Sequence, residues 1–148
     1  MAYILTTIVL WTTFFLLTPT RDFRNYYPIL ILAALIGTVA DLLGVYYDQW
    51  IYHGPVVGGL SLWSDLGIAP AEAGLFIRFF PARCSILPKL GYVCGWSLLN
   101  AVFEWAFVWV GWIGYDHWNP VMAFLFYVAF FGILWVHETW YNGTGRLR

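Results

Sequence analysis

One stretch limits what this chain can fold into more than any other. Residues 90–115 read LGYVCGWSLLNAVFEWAFVWVGWIGY, with two strongly polar side chains, Asn100 and Glu104, well inside the run. An α-helix rises about 1.5 Å per residue, so about 20 such residues cross the hydrocarbon core of a bilayer. A carboxylate near the middle of a span costs roughly 2.5–3.5 kcal/mol on insertion scales. That cost is met only where the acid faces protein or a wet cavity, is protonated, or has a partner. Asn100 lies one turn before Glu104 on the same side of the helix, with Gly111 on the same strip. Trp105, Trp109 and Trp112 form a separate i, i+4, i+7 stripe. The polar strip is expected to face other helices, and the tryptophans lipid or packed neighbours.

The rest of the composition agrees with a membrane solvent. Of 148 residues, 61% are hydrophobic, 22% aromatic and only 10% charged, against about a quarter charged in a typical soluble domain. A water-soluble chain of this size could not cover so much apolar surface with so few charges. A net charge of −1 supplies no basic patch for phosphates, so nucleic acid is not an expected partner. Cys84 and Cys94 make neither a disulfide framework nor a zinc site. No linker, low-complexity tail or repeat period of 20–50 residues is apparent, so residues 1–148 read as a single domain.

Five spans are expected, over about 2–17, 27–47, 65–81, 90–115 and 120–136. The first is apolar apart from threonines that can bond back to their own helix. No Lys or Arg precedes it and no small-x-small site follows it, so it reads as a retained helix and not a signal peptide. In the second, Ala34, Gly37, Thr38, Asp41 and Gly44 share a face, a small-residue surface that lets helices approach closely and turns Asp41 into the bundle. The segment 48–64 is too rich in Gly and Pro for a regular helix and reads as a loop in the interface, or dipping into the membrane against protein. The third span is short, with Ser64 as cap, a possible kink at Pro70, and Asp65, Ala69, Glu72 and Phe76 on one face. Asn119-Pro120 reads as an N-cap followed by proline at the first helical position of the fifth.

All seven basic residues fall in three places: Arg21 and Arg24, then Arg78, Arg83 and Lys89, then Arg146 and Arg148. Five spans put those three places on one side, which the positive-inside rule makes cytoplasmic. The expectation is therefore an all-α integral membrane protein, a bundle of five transmembrane helices with its N-terminus outside and its C-terminus in the cytoplasm. Cys84 then lies in a reducing compartment. Asp41 and Glu104 come at the same distance along two parallel spans, so their carboxyls are expected at one height, with Glu72 able to approach them.

These three acids, Asp41, Glu72 and Glu104, are the candidate catalytic residues, because a protonated acid in low dielectric can donate a proton or a hydrogen bond. The alternative is that Asp41 and Glu104 only bind Asn100, Thr38 or a tyrosine and hold helices together. At the opposite surface Asp48, His53, Asp65, Asp116 and His117 carry metal-binding chemistry, but no spacing among them matches a metal motif. No metal and no cofactor is assigned, with His53, Asp116 and His117 the weak candidates.

The order of features resembles a family of small multi-pass membrane proteins of spore-forming Firmicutes with no assigned activity. The resembling residues are Arg24-Asn25-Tyr26-Tyr27-Pro28, Tyr47-Asp48 with Trp50 and Tyr52, Asp65-Leu66, Glu104-Trp105, and Tyr115 with Trp118-Asn119. The resemblance implies a bacterial cytoplasmic membrane and makes Glu104, Asp48 and Trp118-Asn119 better candidates for a shared site. Asn100, Asp48, Trp118, Asn119 and Tyr115 are the ligand-binding candidates. Three functions stay open. The first is a bundle that binds lipid or a hydrophobic small molecule, or serves as a subunit of a membrane assembly. Membrane lipid, a second copy or another membrane protein would be its partners. The second is an enzyme using a buried acid on a lipid or isoprenoid, as terpenoid cyclases do. The third is a proton-coupled transporter, which usually carries internal repeats.

Overall fold

A computed structural model describes residues 2–19, 22–53 and 56–142; the expectations placed on Arg21, Arg146 and Arg148 lie outside the described residues. Five α-helices account for most of the fold: α1 (Ala2–Leu17), α2 (Phe23–Tyr46), α3 (Ala69–Arg78), α4 (Ile86–Trp109) and α5 (Pro120–Asn142). Two short strands, β1 (Trp50–Tyr52) and β2 (Ile113–Tyr115), pair antiparallel after α2 and α4. A π-helical turn, Ser64–Ile68, leads directly into α3.

Helices α2, α4 and α5 are long and apolar enough to cross a membrane, while α1 is apolar but shorter. At 24 residues, α2 and α4 are each about 36 Å long. The outer faces of the helices are greasy: Leu16 on α1, Trp109 on α4 and Trp140 on α5 are 80%, 81% and 79% exposed, a surface that water would penalise and lipid would not. Trp105 and Trp109 face outward, whereas Trp112, past the end of α4, is half-buried against Tyr3 and Phe107. Inside, Phe14, Ile29, Phe76, Phe131 and Leu134 are buried. Gly74 makes room for this core, because a Cβ there would sit 2.6 Å from the Phe14 ring.

Several boundaries differ from the sequence expectation. Helix α4 begins at Ile86 and stops at Trp109, because Gly111 takes a left-handed φ of 78°. The Gly111 and Trp112 amides then bond back to the Val108 and Phe107 carbonyls, the Schellman ending that glycine favours. The apolar run to Tyr115 is thus a helix, a turn and a strand. Helix α2 ends the same way, with Asp48 at φ 52° and the Asp48 and Gln49 amides on the Val45 and Gly44 carbonyls. Helix α5 runs past 136 to take in His137 and Glu138. The segment after Asp48 is an edge of the ribbon, pairing Trp50 with Tyr115, Ile51 with Gly114 and Tyr52 with Ile113.

A repeat emerges that the residue pattern conceals. Helix α2, its left-handed Asp48 and β1 are matched in order and spacing by α4, Gly111 and β2. Under that match Asp41 corresponds to Glu104, Tyr52 to Tyr115, and Ile51 to Gly114. Since Ile51 and Gly114 are also paired across the ribbon, the two units meet about a local two-fold axis. The ribbon closes one end of the bundle, which also carries Asp48, His53, Asp116 and His117. Arg24, Arg78, Arg83 and Lys89 lie at the ends of helices on the other side, where Arg78 Nε donates to the Leu17 carbonyl at 3.2 Å.

Candidate functional site

Asp41, Glu72, Asn100 and Glu104 line one cavity of about 160 Å³ enclosed by all five helices beneath the ribbon. Asp65 lines it too. It is 2% exposed, so it belongs to the interior and not to the outer polar surface. The π turn carries it there, and Asp65 Oδ1 lies at ordinary contact distance, 3.5 Å, from where a Gly37 Cβ would be. Among the described residues, no Lys, Arg or His lines the cavity.

The two repeat-related acids are each held by the tyrosine eleven residues later. Tyr52 Oη donates to Asp41 Oδ1 at 2.7 Å, and Tyr115 Oη donates to Glu104 Oε1 at 2.5 Å. Helix and strand fold back at their left-handed residue, which aims the strand's tyrosine down at its own helix. Burial, with Asp41 beside it, pushes the Tyr52 phenol well above the usual tyrosine range. Burial and then Glu104 do the same to Tyr115. Both phenols are therefore kept as donors.

The surroundings of the two acids diverge. Glu104 is a hub, accepting also from Trp118 Nε1 at 3.1 Å on Oε1 and from Tyr127 Oη at 2.6 Å on Oε2. Asp41 instead has the Asp65 carboxyl within hydrogen-bonding reach. Among the described residues, neither Asp41 Oδ2 nor Asp65 Oδ2 receives a donor. Ionised carboxylates only accept, so the pair needs a shared proton or a donor from outside. Glu72 lies deep in the bundle, on the cavity wall, and no described side chain donates to it. Trp50 Nε1 is buried without an acceptor.

The remaining candidates separate into two groups. Tyr115 and Trp118 reach the cavity through Glu104. Asn100 donates to the Trp96 carbonyl of its own helix at 3.1 Å. Asn119 is the α5 cap, its Oδ1 accepting the Val121 and Met122 amides at 3.0 and 3.1 Å, and it does not line the cavity. Asp48 ends α2 and is exposed. His53, Asp116 and His117 are exposed, and among the described residues no three His, Cys, Asp or Glu side chains gather to hold a metal. The amides of Asp116, His117 and Trp118 converge on the Gln49 carbonyl, so this loop is built to clasp the end of α2.

Sequence reasoning missed Tyr3, Tyr52 and Tyr127 as cavity residues. The signal was present for Tyr52, an acid followed eleven residues later by tyrosine, a spacing that Glu104 and Tyr115 share. Tyr3 carried none, since α1 reaches the site only through tertiary packing, with its ring 5.2 Å from Phe107. No protein-family model, curated protein or solved structure matches the chain.

Proposed function

We propose that this chain is a five-span membrane protein, N-terminus outside, whose acid-lined cavity binds a hydrophobic or lipid-like small molecule. The observation that carries the reading is a set of buried carboxyl oxygens without donors, gathered in one aromatic-walled space. Intramembrane acids left without protein partners are functional by default, because burying an unanswered polar group costs free energy that packing alone would not retain. The clustering of Arg24, Arg78, Arg83 and Lys89 away from the ribbon supports a cytoplasmic face at that end. The test is mass spectrometry of small molecules co-purifying with the protein. The wild type should retain a specific hydrophobic species that an Ala69→Phe variant, filling the cavity while staying folded by circular dichroism, releases. Equal content in both proteins overturns the reading.

A second reading, a proton-coupled carrier, is favoured by the two-fold repeat, since carriers place their sites between structural repeats. It expects proton movement into proteoliposomes that depends on the bound species. Binding without such movement leaves the first reading alone.

A further inference from the structure

The size of the cavity says how much of a ligand it can hold. A void of about 150 Å³ takes a molecule the size of benzene, so 160 Å³ has room for a head group and not for a lipid chain. The chain has a place beside it. A groove of about 470 Å³ runs along the outside of α2 against α5, lined by Ile36, Val39, Leu43 and Tyr47. It contains no charged residue, and Val39, Leu43 and Tyr47 face outward, 45%, 52% and 62% exposed. Cavity and groove share Ala40, Trp50, Trp118 and Phe126. The boundary between them is thus Ala40 on α2 and three aromatic side chains, with Trp50 and Trp118 edge-on at 4.8 Å.

Charge decides the head. The lining holds Asp41, Asp65, Glu72 and Glu104 and, among the described residues, no basic group. Glu104 is already occupied by three donors, while among the described residues Asp41 Oδ2 and Asp65 Oδ2 receive none and no side chain donates to Glu72. The chemistry that answers unmatched carboxyl oxygens is a cation with N–H donors, and the aromatic walls favour a cation further. Asp41 and Asp65 are 6% and 2% exposed, so water answers them poorly.

We propose that the ligand is a single-chain amphiphile with a primary or secondary ammonium head. The head sits among Asp41, Asp65 and Glu72, and the chain leaves past Trp50 and Trp118 into the α2–α5 groove. This rests on the binding reading above and names its ligand class. The unmatched Trp50 N–H lies at the junction, where a hydroxyl next to the amine would answer it.

The probe is decylamine carrying a diazirine near the end of its chain, photolysed with purified protein in phosphatidylcholine nanodiscs. Label at Val39, Leu43 or Tyr47, displaced by decylamine and requiring at least about tenfold more decanol for the same displacement, supports the proposal; a charged hydrogen bond is worth that factor or more. Glu72→Gln should abolish the preference for amine over alcohol, and Asp65→Asn should weaken it if Glu72→Gln does not fold. Displacement by decanol as readily as by decylamine overturns the ammonium head while a hydrophobic ligand stands. Saturable label confined to faces away from the groove overturns the path. No displaceable label from the amine or the matching alcohol overturns the proposal and the binding reading together.

Discussion

Replacing Glu104 by Gln tests the hub directly, because it removes one atom's chemistry and almost no volume. Oε1 takes donors from Tyr115 and Trp118, and Oε2 takes one from Tyr127. Glutamine offers one oxygen and one NH₂, so whichever way it turns, an NH₂ meets a phenol that is itself a donor. If the oxygen stays with Tyr115 and Trp118, Tyr127 loses its acceptor. Leaving a buried donor unmatched costs about 1–3 kcal/mol. The surviving bonds lose their charge assistance, though bonds between membrane helices average only about 0.6 kcal/mol in measured cycles. Together these give about 2–3 kcal/mol. The companion Tyr127→Phe removes one donor and leaves the carboxylate two, costing about 1 kcal/mol. The two changes should not add, because Glu104→Gln has already orphaned the phenol that Tyr127→Phe deletes. The assay is reversible unfolding by sodium dodecyl sulfate in mixed micelles, followed by circular dichroism. Glu104→Gln within about 0.5 kcal/mol of wild type, or full additivity in the double variant, refutes the hub.

The other predictions are simpler. Gly111→Ala forces a Cβ into the left-handed region and should cost about 1–2 kcal/mol, while Asp48→Gly at the matching position should be neutral or stabilising, both read by the same unfolding assay. Cys84, exposed between α3 and α4, should react with a membrane-impermeant maleimide only in inside-out vesicles; labelling from the outside alone would overturn the orientation. In a spectrophotometric titration the Tyr52 and Tyr115 phenols, raised in the folded state, should stay protonated at pH 11. A Tyr52→Phe/Tyr115→Phe variant should then show unchanged tyrosinate absorbance until it unfolds. The sign follows from linkage: a raised folded value contributes stability that is complete below about pH 10 and is lost only as pH climbs through the folded value.

The helices were legible because hydrocarbon makes apolarity continuous and charge rare. Asp41, Glu72 and Glu104 were legible as inward-facing for the same reason. Asn119 showed itself as a cap by its place before Pro120. What was hidden lay where apolar sequence changes conformation without changing composition. Ile113–Tyr115 is as apolar as the helix before it, and only Gly111 marks the turn, although glycine inside a membrane helix is unremarkable. Asp65 read both as an outer metal candidate and as a neighbour of Glu72 on one helical face. The π turn at Ser64–Ile68 decides for the interior, and such turns recur at functional sites.

The repeat was hidden for a further reason: its two copies have kept the frame and exchanged the contents. Both units preserve an acid, a left-handed residue and a tyrosine at matching places, the parts that fix how a strand folds back on its helix. They differ in what surrounds the acid. Around Glu104 stand Trp118 and Tyr127, donors that complete its coordination, whereas around Asp41 stands Asp65, another acceptor. A symmetric pair of helix-strand units would have produced two equivalent acids, either both satisfied or both unmatched. Here one half supplies a rigid, satisfied anchor, and the other half, with Glu72 from α3, supplies oxygens still in need of a donor. That imbalance, created by side chains and not by backbone, leaves the unmatched oxygens on the Asp41 side of the cavity, where the proposed ligand's head would sit.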